Sequence, residues 1–143
     1  MQEALDLAHE AFLREEVPIG AVIISDSIVI GKGFNQTLSQ SCVLHHAEIV
    51  AIENASKNIG NHRLVGSILF STIEPCHMCA KAIIDARISH IIFGAREPKS
   101  GSIVSVDNFL ESSFHNHCVS FEEGILKDEC REIMQRFFRA RRN

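Results

Sequence analysis

No tryptophan and no tyrosine occur among the 143 residues, so stacking against any planar ligand falls to nine phenylalanines, eight histidines or the arginines. Prolines number only three, and neither a low-complexity tract nor an internal repeat is visible, which argues against a disordered or fibrous chain. Long apolar runs are missing too. Stretches such as AVII and ILF fall far short of the roughly 20 residues that cross a bilayer, and Met1 leads into QEALDLAHEAF rather than a basic-then-apolar leader. A cytoplasmic protein with no membrane partner is the expectation.

An even cysteine count is also lacking. Five cysteines (Cys42, Cys76, Cys79, Cys118, Cys130) without an export signal make a disulfide framework improbable and leave a metal or redox role for the close pair Cys76 and Cys79. Positive charge is short overall, with a net charge of −4, which speaks against a broad nucleic-acid-binding surface. That average hides an asymmetry. Residues 131–143 hold Arg131, Arg136, Arg139, Arg141 and Arg142 against Glu132 alone, a local +4 that leaves −8 for the remainder. Arginines in the last turns of a terminal helix complement its dipole, so composition alone does not decide between a solvated helix end and a basic rim.

What is present is enough for one domain, residues 1–143, able to bury about two thirds of its unfolded surface. Ala4, Leu5, Ala8, Ala11 and Phe12 form one helical stripe in residues 1–15, with Pro18 beyond its end. Two β-branched runs flanking Asp26-Ser27 read as a hairpin of residues 20–25 and 28–33. A helix over 46–58, a strand over 67–73, a helix over 76–86 and a strand over 88–93 follow, then loops over 94–116 with a short helical turn. A further strand near 118–121 and a basic C-terminal helix, 124–142, complete the chain. Alternating strands and helices predict an α/β sheet with helices on its faces, parallel where a helix joins two strands.

Two clusters carry chemistry, each at the start of a predicted helix: His46-Ala47-Glu48 and Pro75-Cys76-His77-Met78-Cys79. Cysteines at i and i+3 share a helix face, and the helix N-terminus stabilises the thiolates that bind metal. Alone, the pair also fits a thioredoxin-like redox motif. With His46 it supplies three ligands, the number in a catalytic zinc site that keeps a fourth position open; His77 or His45 would close the site into a structural one. Glu48, two residues from a ligand, places a base beside water at such a metal. His-x-Glu followed by Pro-Cys-x-x-Cys is the spacing of the zinc-dependent nucleobase deaminases.

The stretches VPIGAVII, GKGFN, HAEIVAI, STIEPCHMCAKAII, ISHIIFGAREPKSG, EGILKDEC and FFRARR resemble the bacterial tRNA-specific adenosine deaminases from end to end. The resemblance implies a three-layer α/β/α cytidine-deaminase-like sandwich on a mixed five-stranded sheet, assembled as a homodimer. It implies one Zn²⁺ per chain on His46, Cys76 and Cys79. Glu48 would carry one proton to N1 of adenine and a second to the exocyclic nitrogen, so that ammonia leaves and inosine remains. Asn35 matches a residue that contacts the target nucleoside, while Lys99, Arg139, Arg141 and Arg142 match positions along the RNA backbone. One of Phe137 and Phe138 belongs to the core at helical spacing, and the other is free to pack an extruded base. The implied partner is a tRNA anticodon stem-loop, with the wobble adenosine (position 34) as target. His45 and Phe34 depart from the family pattern, which has a small or apolar residue and often a tryptophan there. A zinc deaminase of free guanine or cytosine, a thiol oxidoreductase, and a structural zinc or RNA-binding module are the competing readings.

Overall fold

The computed structural model describes residues 1–142. Helix α1, Gln2–Leu13, buries the expected stripe of Ala4, Leu5, Ala8 and Ala11. Strands β1, Gly20–Ser25, and β2, Ile28–Phe34, pair antiparallel through a tight turn. Asp26 and Ser27 both take left-handed φ, 50° and 62°, the mirror-image turn whose twist matches that of the flanking strands. Next come α2 (Ala47–Ile59), β3 (Ile68–Ile73), α3 (His77–Asp85) and β4 (His90–Ala95). A single 3₁₀ turn at Phe109–Glu111 precedes β5, Ser120–Glu123, and α4, Lys127–Arg142.

The strands form one mixed sheet in the order β2-β1-β3-β4-β5, antiparallel on the β2 side and parallel for β3-β4-β5. One face packs on α2 and α3 through Ala47, Ala51, Ala55, Ala80, Ile83 and Ile84; the other packs on α1 and α4 through Leu5, Ala8, Cys130 and Ile133. The three-layer expectation therefore holds. Helix α2 rides unusually close to β2 because glycines face it. A Cβ at Gly31 would sit 2.5 Å from the Ala51 carbonyl oxygen, and one at Gly33 would overlap that of Ala47. This contact pins the first turn of α2, where His46 and Glu48 stand.

Three elements start two or three residues later than the sequence reading puts them. Strand β4 runs two residues later than 88–93, because Gly94 and Ala95 remain buried and extended against β3 and α4. Strand β5 lies at 120–123 rather than 118–121, and all four of its residues are exposed, so it carries no burial pattern for periodicity to detect. Helix α4 begins at Lys127 rather than 124, since Gly124 (φ 102°) and Leu126 (φ 54°) form a left-handed turn and the Gly124 amide bonds back to Phe93 and Gly94. Among the described residues no helix is long and apolar enough to cross a membrane.

Candidate active site

The chain leaves β3 at its carboxyl end and enters α3 through Glu74-Pro75-Cys76, in the region where open α/β sheets place their ligands. Cys76 is the residue before α3 and His46 the residue before α2, both with extended backbone (ψ 175° and 155°). Neither side chain caps its own helix, so both are free to turn toward each other. His46 Nδ1 lies 3.6 Å from Cys76 Sγ and 3.5 Å from Cys79 Sγ. A nitrogen at about 2.0 Å and a sulfur at about 2.3 Å from one tetrahedral zinc are roughly 3.5 Å apart. The three ligands named from the sequence are therefore together at a zinc-compatible spacing.

Charge supports the same donor set. A hydrogen bond from Cys79, aided by His46 and opposed by burial, holds the Cys76 thiol down at about 4, while the bond to Cys76, burial and the neighbouring Glu48 push Cys79 upward. One thiolate is thus already present, and a divalent cation would displace the second proton. His46 is held above its ordinary value, chiefly by its hydrogen bond with Cys76. His77 is engaged elsewhere, with Nε2 2.8 Å from Asp107 Oδ2, and among the described residues the cluster that could hold a metal ion consists of His46, Cys76 and Cys79.

Glu48, 3% exposed, points into the same space, with Oε2 3.5 Å from Cys79 Sγ and Oε1 3.3 Å from the Ser71 hydroxyl. Burial pushes its carboxyl above the usual carboxylate range. A cavity of about 230 Å³ opens beside it, walled by Asn35, His46, Glu48, Cys76, Glu97 and Phe138 among others. Asn35 is 3% exposed and its amide nitrogen lies 3.3 Å from both Glu16 and Thr37 oxygens.

Two buried carboxylates escaped the sequence reading. Glu16, 1% exposed, accepts from the Leu38 and Ser39 amides as well as from Asn35, fixing the loop after β2. Glu74 accepts from the Glu97, Ile103, Val104 and Ser105 amides. Burial pushes Glu74 up, but these bonds and the Ser105 hydroxyl outweigh it and hold the carboxyl below its usual range. Their one sequence signal is position: an acidic residue just before Val17-Pro18 and just before Pro75-Cys76.

The cationic residues separate. Lys99 is exposed, and Arg139 and Arg142 line a groove of about 670 Å³ that shares Ile73, Glu97, Met134 and Phe138 with the cavity. Arg141 turns back instead: its guanidinium lies 4.5 Å from the Phe137 ring centre and donates to the Glu15 carbonyl. Phe137 is core, edge-on to Phe12 at 5.9 Å, while Phe138 faces the cavity. His45 does not line the cavity.

The model of the MafB19-like deaminase family matches residues 1–142. The tRNA-specific adenosine deaminase of Haemophilus influenzae is 43% identical over 143 residues, covering 99% of this chain and 83% of that protein. The chain belongs to the tRNA-specific adenosine deaminase family. The relative of that name in Bacillus subtilis is 37% identical over 142 residues, with 99% and 88% covered. A solved structure from a study of A-to-I editing by tRNA:A34 deaminases superposes with a TM-score of 0.91 at 41% identity, covering 93% of this chain and 96% of that one. A guanine deaminase from Nitrosomonas europaea (TM-score 0.78, 20% identity, 95% and 81% covered) shares the fold. The protein is thus an enzyme that catalyses deamination.

Proposed function

We propose that this enzyme hydrolytically deaminates adenosine to inosine at the wobble position of tRNA, with one Zn²⁺ per chain held by His46, Cys76 and Cys79. The carrying observation is the buried carboxylate of Glu48 set 3.5 Å from a ligand sulfur, within a donor set of one imidazole and two thiols. Zinc bound there supplies a Lewis acid that makes water nucleophilic near neutral pH. The chain does the rest. Glu48 takes the proton of the attacking water, gives it to adenine N1, and moves a second proton to the departing amine, with Ser71 Oγ 3.3 Å from the carboxylate. Asn35, held by Glu16 and Thr37, presents its remaining hydrogen-bonding capacity to the nucleoside.

A cavity of this size takes a single splayed nucleotide, not a paired one, and single-stranded loops are where RNA bases are read in this way. Phe138 at the cavity wall packs the extruded base, and Lys99, Arg139 and Arg142 receive the flanking phosphates. The active assembly is a homodimer in the cytoplasm. Sequencing a tRNA transcript with an ACG anticodon after incubation tests the proposal. Conversion of its first anticodon base to inosine, with free adenosine and guanine untouched, is expected; deamination of a free base instead would overturn the substrate class.

A further inference from the structure

Glu74 is a buried carboxylate for which the proposed reaction has no use. It sits two residues before a metal ligand, yet its hydrogen bonds all run to one distant loop. Oε2 accepts from three successive amides, Ile103 at 3.0 Å, Val104 at 2.8 Å and Ser105 at 3.0 Å. Oε1 accepts from the Glu97 amide at 3.2 Å and from the Ser105 hydroxyl. Gly101 closes over the same group, and a Cβ there would overlap the carboxyl. The segment from Glu97 to Ser105 is thereby gathered around one side chain at both its ends.

That segment is a wall of the reaction cavity. Glu97 and Ser100 line it together with His46, Glu48 and Glu74 itself, and Glu97 also lines the basic groove alongside. Between β4 and the 3₁₀ turn it has no strand partner, and besides Glu74 it is tied through Ser102, whose amide and hydroxyl both donate to the Pro75 carbonyl. We infer that Glu74 is a substrate-positioning residue, whose carboxylate latches residues 97–105 as the preformed wall against which the target nucleotide is seated. This rests on the adenosine deaminase reading for the identity of what is seated. The chemistry at Glu48 does not pass through Glu74. Loosening the latch therefore lowers the fraction of enzyme with a competent cavity, and the apparent dissociation constant rises by the inverse of that fraction.

Glu74→Gln is the discriminating variant. Its single oxygen still serves the Ile103–Ser105 amides, but its NH₂ faces the Glu97 N–H and that bond is lost. Expected are about a tenfold rise in KM for an anticodon stem-loop, kcat within about twofold, one zinc per chain retained, and faster amide exchange confined to residues 97–101. Ser105→Ala, which removes one donor without touching the β3–α3 junction, is expected to shift KM in the same direction by less. If Glu74→Gln fails to fold, Ser105→Ala decides alone. Unchanged KM and exchange in the folded variants would overturn the inference. So would a joint fall of kcat, zinc content and thermal stability, which marks a purely structural role. Should wild-type enzyme not act on the stem-loop, the substrate reading fails, and exchange in 97–105 still decides the latch.

Discussion

His46 Nδ1 and Cys79 Sγ lie 3.5 Å apart although 33 positions separate them in the chain. The contact exists because β2 and β3 bring the N-termini of α2 and α3 to one place, and it makes the metal prediction specific. Cys76→Ala and Cys79→Ala are expected to lose zinc, measured by elemental analysis, while His45→Ala and His77→Ala keep one zinc per chain. Binding only to the folded state stabilises it by about 4 kcal/mol at a thousandfold excess of free metal over Kd, so chelation should lower Tm in wild type and leave Cys79→Ala unmoved.

Glu48 gives a prediction of opposite form. Glu48→Ala and Glu48→Gln should both bind zinc and both lose turnover by about 10²–10⁴-fold, because the glutamine preserves shape and the contact with Ser71 but takes no proton. Retention of near-normal turnover in either variant would reassign the proton carrier.

Asn35 is buried and already shares its amide with Glu16 and Thr37, so removing it affects both the loop and the nucleoside. Asn35→Ala should reduce kcat/KM by roughly tenfold, corresponding to about 1.4 kcal/mol for one lost hydrogen bond in the transition state. The reading fails if the loss is the same for a substrate that lacks the contacted base atoms.

The cluster of His46, Cys76 and Cys79 was legible in the sequence because each half of it is local: His-x-Glu and Cys-x-x-Cys are spacings within one helical turn. The mixed sheet was not legible from periodicity, since pairing β1 with β3 joins residues about fifty positions apart, as Ala21 with Ser71. Only the resemblance supplied it. Glu16 and Glu74 stayed hidden for another reason. Their partners are mostly backbone amides of remote loops, and an amide leaves no trace in the residue code. Helical spacing put one of Phe137 and Phe138 in the core, but which one depended on where α1 places Phe12.

The arginine set separates in the same way. Removing Lys99, Arg139 and Arg142 one at a time should each flatten the salt dependence of RNA affinity by about 0.7 in slope. Arg141→Ala should leave that slope alone and lower Tm, since Arg141 is committed to Phe137 and Glu15. A salt slope that drops for Arg141→Ala as much as for Arg142→Ala would return Arg141 to the RNA-binding face.

Cys130 offers an alkaline counterpart to these tests. It is fully buried on α4, where a Cβ on Gly94 would meet its sulfur at 2.6 Å, and burial together with the adjacent Glu129 pushes its thiol up to about 11. The folded state therefore holds this proton more tightly than the unfolded chain, whose thiol titrates near about 8.5. The stabilisation is complete below that lower value and is lost as pH rises through about 11. At pH 8, alkylation should reach exposed Cys118 and half-buried Cys42 but spare Cys130 until denaturant is added. Wild type should then lose stability between about pH 9 and 11 more steeply than Cys130→Ala, and identical alkaline profiles for the two would place the titrating group elsewhere.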